Sequence, residues 1–287
     1  MAINQSKPAM QAWHFFDGAW HEGNPPMMGP MTHGFWMAST VFDGARAFEG
    51  VTPDLDRHCR RLIRSAATMG LAPPLGAEEI QQIGEDGRKR FPKDRALYLR
   101  PTMWAEGGFV IPEAKSTRFC FTIFEAPMPP ADAMSVTLSP YVRPLPGSAP
   151  TEAKASCLYP NSSRALADAI EKGFDNAVIL DPIGNVAELA TANLWMVQDG
   201  VAITPIPNGT FLNGITRQRI IQLLSDAGIP VEERRMTFEE LANADEIFAT
   251  GNFGKVQPIT RIEQRSLQPG PITKRAREAY WDWALSH

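Results

Sequence analysis

An amine, a carboxylate and a helix start lie far apart in this sequence, yet together they meet the needs of one cofactor. Lys154 lies in the small-residue stretch Ala153-Lys154-Ala155-Ser156. Glu188 precedes a strand-like apolar run, and Gly214-Ile215-Thr216 leads into a helical pattern. A lysine can form a Schiff base, a carboxylate can keep a pyridine nitrogen protonated, and the N–H groups of a helix start can bind phosphate. The three groups therefore predict a pyridoxal phosphate site.

Each of the three groups also has a plainer explanation. Taken alone, Lys154 could be a solvated surface lysine, Glu188 an exposed strand end and Thr216 an ordinary helix N-cap. The small neighbours of Lys154 favour the cofactor, because they would let it approach closely. Tyr159 adds a phenol that could lie near the cofactor's phenolic oxygen. Burial and the cofactor would lower the pKa of Lys154, as a Schiff-base lysine requires.

Three further segments carry groups for a phosphate or a carboxylate. Arg61 lies next to the apolar face of a predicted helix, and we expect it to turn inward toward a phosphate. Tyr98 and Arg100 alternate on a predicted strand, so both point to one side and suit a substrate carboxylate. The turn Gly251-Asn252-Phe253-Gly254 could present N–H donors. A solvated helix face, a surface strand and an ordinary turn remain the alternatives.

Composition is typical of a soluble globular protein rather than of a nucleic-acid-binding or membrane protein. Its 287 residues suggest one or two domains, and 44% hydrophobic with 21% charged residues is typical of globular proteins. A net charge of -4 gives no reason to expect nucleic acid or an anionic membrane. No apolar run approaches the ~18 residues of a membrane helix. Three scattered cysteines indicate a reducing, cytoplasmic setting, and the five histidines show no metal spacing.

Local patterns in the first half predict strands and helices in alternation. Asp17-Gly18 predicts a hairpin, and Asp43-Gly44 a bend or bulge in another strand pair. Helices are expected over 56–69, with Asp54 or Asp56 as the cap, and over 77–90. Strands are expected at 96–100 and 118–124. A linker follows at 126–133, where prolines interrupt pairing.

The second half also alternates. The predicted elements are a helix that Asn161 caps and Gly173 ends, a strand at 176–180, a turn at 184–185, a hairpin across Asp199-Gly200, a helix over 216–227, a capping box of Thr237 and Glu240, and a strand at 246–250. We therefore expect an α+β chain with a smaller α/β domain at 1–125 and a larger one at 134–287 that carries Lys154.

Together these residues resemble the fold-type IV pyridoxal-phosphate enzymes of the branched-chain aminotransferase group. The resemblance covers nearly the whole chain. The family's motif residues fall on the catalytic lysine Lys154, the tyrosine Tyr159, the glutamate Glu188, the phosphate turn Gly214-Ile215-Thr216, the phosphate arginine Arg61 and the strand Tyr98-Leu99-Arg100. The last element is more typical of the branched-chain enzymes than of the D-amino-acid ones.

The second phosphate turn departs from the family pattern. Branched-chain enzymes usually have Ser-Gly-Thr-Ala-Ala, whereas this chain has Thr250-Gly251-Asn252-Phe253-Gly254. Asn252 takes the place of a phosphate-binding threonine, and Phe253 is bulky where small residues face the substrate carboxylate. The segment from Glu188 to Asn193 replaces a more glycine-rich one.

The resemblance implies a two-domain transaminase with the cofactor between the domains. It would move an amino group between an amino acid, expected to be a branched-chain L-amino acid, and a 2-oxo acid by a ping-pong mechanism, as a homodimer or higher homo-oligomer. The implied phosphate ligands are Arg61, Ile215, Thr216 and Asn252, and the implied substrate contacts are Phe42, Tyr98, Arg100, Trp104, Phe253 and Gly254.

Several other functions remain open from the sequence. An (R)-selective amine transaminase, a D-amino-acid transaminase and an aminodeoxychorismate lyase would use the same cofactor. A Schiff-base lysine enzyme without a cofactor and a non-catalytic binding module belong to different classes.

Overall fold

The computed structural model describes residues 11–130 and 134–286, and the chain divides into two compact units. The first unit ends at Met128 and the second begins at Pro129. Residues 131–133 of the predicted linker lie outside the described part of the chain. Each unit combines helices with a sheet, which confirms the predicted α+β, two-domain fold class. No helix within the described ranges is long and apolar enough to cross a membrane.

In its described residues the first unit contains six strands and three helices. They are β1 (Ala12–Phe16), β2 (Ala19–Glu22), α1 (His33–Trp36), β3 (Thr40–Phe42), β4 (Ala45–Ala47), α2 (Leu55–Thr68), α3 (Ala77–Arg88), β5 (Leu97–Ala105) and β6 (Thr117–Glu125). The sheet order is β2-β1-β6-β5-β3, and β4 also pairs with β5. Every pairing of these strands is antiparallel.

The first hairpin forms where the sequence predicts it. Asp17 and Gly18 connect β1 to β2 with φ of 51° and 78°. Left-handed backbone at both turn positions is the requirement of a type I′ turn, which asparagine, aspartate and glycine tolerate best. The predicted strands of the first unit are also present, and both are longer than expected.

The predicted bend at Asp43-Gly44 is present between two short strands, which do not pair with each other. Both run along β5 instead, with Phe42 opposite Thr102 and Ala45 opposite Leu99. Three-residue strands are too short to be stable alone, and the nine-residue β5 offers an edge to both. Asp43 therefore lies at a bend between two short strands, and its N–H donates to Pro101 O at 3.0 Å.

The predicted helix over 56–69 is present as α2, with Gly70 at φ +70° behind it. Leu55, Cys59, Leu62 and Ala66 form its buried face. Asp54 occupies the N-cap position, as predicted, but its side chain makes no capping bond. The φ of Asp54 is 59°, and its carboxylate pairs with Arg57 rather than with the first helical N–H groups.

The second unit contains a larger, mixed sheet in its described residues. Its elements are β7 (Met134–Val142), α4 (Tyr159–Glu171), β8 (Asn176–Leu180), β9 (Val186–Leu189), β10 (Asn193–Gln198), β11 (Val201–Pro205), α5 (Ile215–Asp226), β12 (Val231–Arg234), α6 (Phe238–Asn243), β13 (Glu246–Gly251), β14 (Lys255–Ile262), β15 (Arg265–Ser266) and α7 (Pro271–Ser286). The order is β12-β11-β10-β13-β14-β7-β8-β9, with β15 on β14.

The core of the second unit lies on this sheet. Leu194 and Met196 of β10 pack with Ile247 and Ala249 of β13 in one buried cluster. The predicted strand at 176–180, the hairpin across Asp199-Gly200, the helix α5 and the strand before Gly251 are all present. The capping box is confirmed too, since Thr237 Oγ1 accepts from Glu240 N at 3.1 Å.

The predicted start of α4 is wrong. Asn161 lies inside the helix, which begins at Tyr159, and its Nδ2 donates to Val142 O at 2.9 Å. A 3-10 turn at Ser156–Leu158 leads directly into the helix, and Pro160 suits its first turn because proline needs no N–H partner there. The helix therefore starts next to Lys154.

Candidate active site

Lys154 and Tyr159 are in direct contact. Nζ of Lys154 donates to the Tyr159 hydroxyl at 2.6 Å and lies 5.4 Å from the centroid of its ring. Ala153 and Ala155 on either side are fully buried, so the backbone here is fixed while the amine stays accessible. The structure thus brings together the amine and the phenol that the sequence singled out. Their roles toward a cofactor stay predictions.

Glu188 is paired with an arginine that the sequence reasoning missed. Its Oε1 lies 3.3 Å from Nε of Arg143, and the two side chains are 14% and 5% exposed. Burial raises the pKa of Glu188 to about 7, against the opposing charges of Arg143 and Lys154. A carboxyl group with a pKa near neutrality is suited to share a proton with a ring nitrogen.

The turn before α5 leaves no room for a side chain at Gly214 unless Asn193 moves. A Cβ on Gly214 would lie 2.0 Å from Oδ1 of Asn193. Asn193 also holds the turn, because its Nδ2 donates to Leu212 O at 3.0 Å. Ile215 opens the helix, and Thr216 in its first turn is buried. The close approach of Asn193 therefore fixes where the helix start points.

Arg217 is a buried residue that stabilises the same turn through hydrogen bonds. It is 1% exposed and donates to Thr204 Oγ1 at 3.1 Å and to Asn213 Oδ1 at 2.8 Å. Its Nη2 reaches Pro205 O and Glu233 Oε2 at 2.8 and 2.6 Å. A cation in the first turn of a helix opposes the helix dipole. These bonds offset that cost and tie the turn to β11 and β12.

The second turn, Asn252 to Gly254, lies next to the first, at the same end of the neighbouring strands β10 and β13. Asn193 is opposite Thr250 in the register of β10 and β13, so one residue adjoins both turns. Trp195 fixes the end of β13, because its Nε1 donates to Thr250 Oγ1 at 2.9 Å. Phe253 is 54% exposed. Gly254 is buried, and a Cβ there would lie 2.3 Å from Gln257 Cδ.

The two turns fit a phosphate group. Nδ2 of Asn252 is buried and has no acceptor within the described ranges of the chain. The start of α5 at Gly214 offers backbone N–H groups. Glycine leaves open the space beside them, which a Cβ atom at this position would occupy. Buried donors without acceptors are rare in folded proteins, and N–H groups at a helix start favour anions.

Arg61 faces inward in the first unit and is held by a carboxylate. Its Nε and Nη2 lie 2.7 and 2.8 Å from the two oxygens of Asp43, and His58 Nδ1 lies 2.6 Å from Oδ1. Burial of Asp43 opposes ionisation, but the charges and hydrogen bonds of Arg61 and His58 hold its pKa well below the usual range. Asp43 thus fixes the direction of Arg61, whose role toward phosphate stays a prediction.

Tyr98 and Arg100 share one face of β5. The ring of Tyr98 stacks on Phe124 at 5.3 Å between centroids, and the Arg100 guanidinium lies 5.8 Å from the same ring. Gly44 approaches this face closely, since a Cβ there would lie 2.3 Å from the Tyr98 hydroxyl oxygen. The shared face that alternation predicted is therefore present.

Phe42 and Trp104 are placed differently from each other. Phe42 is half-buried at the end of β3. Trp104 is only 1% exposed, and its Nε1 donates to Glu106 Oε2 at 3.2 Å. The predicted role of both as pocket walls stays untested, and burial leaves Trp104 little surface to offer a ligand.

The residues that sequence reasoning missed are mainly partners of those it found. They are Asp43, Arg143, Asn193, Arg217 and Lys255. Arg217 had a local signal, since a cation in the first turn of a helix needs a specific partner. Asp43, Arg143 and Asn193 depend on strand order, and the contact of Lys255 with Asn252 depends on the conformation of the turn between them, so none of these four had a sequence signal.

Comparison with known proteins decides the family. The sequence model of the amino-transferase class IV family matches residues 40–262. This chain is a class IV aminotransferase. A probable branched-chain-amino-acid aminotransferase from Synechocystis sp. is 32% identical over 280 residues, which cover 88% of this chain and 90% of that protein.

Solved structures agree with this assignment of the aminotransferase. An aminotransferase from Brucella abortus, bound to the cofactor PLP, has 47% sequence identity and a TM-score of 0.95, covering 96% of this chain and 99% of that one. A branched-chain aminotransferase from Thermoproteus uzoniensis with norvaline has 30% identity and a TM-score of 0.88, covering 96% and 95%. The protein is therefore a transaminase that uses pyridoxal phosphate, as the sequence predicted.

Proposed function

We propose that this aminotransferase moves the amino group of a branched-chain L-amino acid to a 2-oxo acid in a ping-pong reaction. The observation that carries the substrate class is the face of β5, where Tyr98 and Arg100 flank the apolar ring of Phe124. A guanidinium and a phenol suit a carboxylate, and an aromatic surface suits an aliphatic side chain. The names of the sequence relatives support the same class.

The contacts of the site residues support the roles that we propose for them. Pyridoxal phosphate, when bound, supplies an electron sink for chemistry at the substrate α-carbon. Lys154 Nζ would take up and return the proton at the substrate α-carbon, and Tyr159, 2.6 Å from Nζ, would keep the amine directed. Glu188 holds a proton at the ring nitrogen, while Arg143 fixes the carboxylate. Thr216, the N–H group of Ile215 and Asn252 would hold the phosphate, and Arg61 is proposed as a further ligand.

A panel of amino donors tests the substrate proposal. L-leucine, D-alanine, a simple (R)-amine and aminodeoxychorismate are each supplied to the purified enzyme with pyridoxal phosphate and 2-oxoglutarate. We expect L-leucine to give the highest kcat/KM and to shift the visible absorption band of the bound cofactor. Preference for D-alanine or the amine would replace the proposal with one of those transaminases, and turnover of aminodeoxychorismate alone would indicate a lyase. A protein that takes up no cofactor would be a binding module.

We also propose that the enzyme is a cytoplasmic homodimer. Phe109, Val110 and Ile111 are consecutive and 77%, 65% and 80% exposed, and Phe109 lies 5.7 Å from the ring of Trp36. An exposed apolar patch of this kind favours association with a second subunit. The three free thiols, Cys59, Cys120 and Cys157, suit a reducing compartment. In analytical ultracentrifugation, Ile111→Asp should shift the wild-type dimer toward monomer.

A further inference from the structure

Lys255 is a buried lysine in an unfavourable backbone conformation directly after the second phosphate turn. It is 1% exposed and has a φ of +59°, which residues with a side chain seldom adopt. Its Nζ donates to Asn252 Oδ1 at 2.9 Å and lies 5.7 Å from the ring centroid of Tyr280. Conformations of this kind cluster at functional sites, where the surrounding structure enforces them. The side chain is thus directed at the turn from inside the protein.

The contact with Lys255 decides which way the Asn252 amide points. A lysine ammonium only donates hydrogen bonds, whereas an amide side chain has one accepting oxygen and one donating nitrogen. Oδ1 must therefore face Lys255, and Nδ2 must face the other way. Nδ2 is buried there without an acceptor in residues 11–130 and 134–286. This buried N–H donor needs a hydrogen-bond acceptor, and a phosphate oxygen is one.

We propose that Lys255 is a positioning residue for the cofactor phosphate, which it serves by holding the Asn252 amide with Nδ2 toward the phosphate oxygens. The proposal rests on the proposed phosphate site and adds a residue to it. A threonine hydroxyl can rotate to meet an anion, but an amide works in only one of its two orientations. Asn252 and Lys255 therefore act as a pair, and neither is effective alone.

The test separates binding of the phosphate from binding of the pyridine ring. Dissociation constants for pyridoxal 5′-phosphate and for pyridoxal are measured by absorbance titration of the full-length wild type, Lys255→Met and the exposed control Lys172→Met. We expect Lys255→Met to weaken binding of pyridoxal phosphate on the order of tenfold and to leave that of pyridoxal unchanged. The control should alter neither constant, because Lys172 pairs with Asp168 on the surface of the second unit.

A second pair of variants isolates the coupling. The quantity compared is the dissociation constant of pyridoxal divided by that of pyridoxal 5′-phosphate. In an Asn252→Thr background, Lys255→Met should no longer change this ratio. Asn252→Asp, which keeps the shape of the side chain but removes the donor, should lower that ratio even if Lys255→Met does not fold. Equal weakening of both ligands by Lys255→Met, or an unchanged ratio in Asn252→Asp, would overturn the proposal. A wild type that binds both ligands equally would instead refute the phosphate site itself.

Discussion

Glu188 and Arg143 lie 3.3 Å apart, from Oε1 to Nε, and both side chains are largely buried. The arginine alone would keep the carboxyl group ionised, but burial outweighs it and raises the pKa to about 7. Glu188 therefore changes protonation in the pH range where the enzyme is expected to work. This balance has a measurable effect on stability.

Glu188→Gln should remove a pH dependence from the free energy of unfolding of the cofactor-free protein. Between pH ~4.5 and ~7 the unfolded state has released the Glu188 proton while the folded state keeps it. Wild-type stability should therefore fall across this window, on the order of 3 kcal/mol relative to the glutamine variant, and become parallel to it above the window. Urea unfolding at half-unit pH steps measures the difference.

Arg143→Met is the matched comparison for this measurement. Loss of the Arg143 cation should raise the pKa of Glu188 further, because the charge of Arg143 opposes the effect of burial. The free energy of unfolding should therefore continue to fall to a higher pH than in the wild type. Parallel stability curves for wild type and Glu188→Gln over pH 4 to 8 would show that burial does not govern this group.

Lys154→Ala should lose turnover by a factor of at least ~10³ and leave the cofactor bound without a covalent link. The loss follows because the variant lacks the amine that lies on the Tyr159 hydroxyl and is proposed to carry the proton. Borohydride reduction followed by mass spectrometry detects the covalent link in wild type and its loss in the variant. Retained turnover in Lys154→Ala, measured beside an exposed Lys172→Ala control, would contradict the assignment of Lys154 as the catalytic amine.

Asp43→Asn should destabilise the first unit at neutral pH by ~3 kcal/mol or more, because it removes the fully buried carboxylate that pairs with Arg61 and His58. The pKa of Asp43 is lowered in the folded state, so its contribution is fully present above the unfolded value of ~3.9 and declines as the pH falls below it. The gap between wild type and variant should narrow from pH 7 to pH 3.

The exposed pair of Asp17 and Arg118 provides the control for that variant. Asp17→Asn should change the free energy of unfolding by less than ~1 kcal/mol at either pH, since exposed pairs contribute little. Equal effects of Asp17→Asn and Asp43→Asn in urea unfolding would contradict a special role for the buried network.

Gly214→Ala should weaken cofactor binding and lower stability by ~1 to 3 kcal/mol. The added methyl group would lie 2.0 Å from Asn193 Oδ1, so Asn193 or the helix start must move. Cofactor affinity and thermal unfolding both report the change, and Gly29→Ala, where no atom lies within 4 Å, is the control. Adding Asn193→Ala should recover part of the loss, and no recovery would indicate another cause.

Short-range features of the site were predictable because local sequence determines them. Lys154 and Tyr159 are five residues apart and joined by one helical turn, and their contact follows from the start of α4. The Asp17-Gly18 and Asp199-Gly200 hairpins depend on residues that tolerate left-handed backbone. Asn161 was the exception, because the preceding 3-10 turn and Pro160 start the helix earlier.

The partners of the site residues were not predictable because they depend on strand order. Arg143 reaches Glu188 only because β7 lies beside β8 and β8 beside β9. Asp43 lies beside Arg61 because β3 and β4 both pair with β5, and the sequence predicted the bend at Asp43 but not the strand that it pairs with. Periodicity indicates which face of an element is buried, but it does not indicate which element covers that face.

The second phosphate turn connects β13 to β14, and each of these strands has a further neighbour in the sheet, β10 on one side and β7 on the other. Because both strands are paired on each side, folding already fixes the backbone of this turn. A ligand that binds the turn therefore reduces its conformational entropy only slightly. Cofactor exchange at this turn should therefore be limited by opening of the sheet centre rather than by motion of a surface loop. Substitutions deep in β10 or β14 should then alter how long the cofactor stays bound.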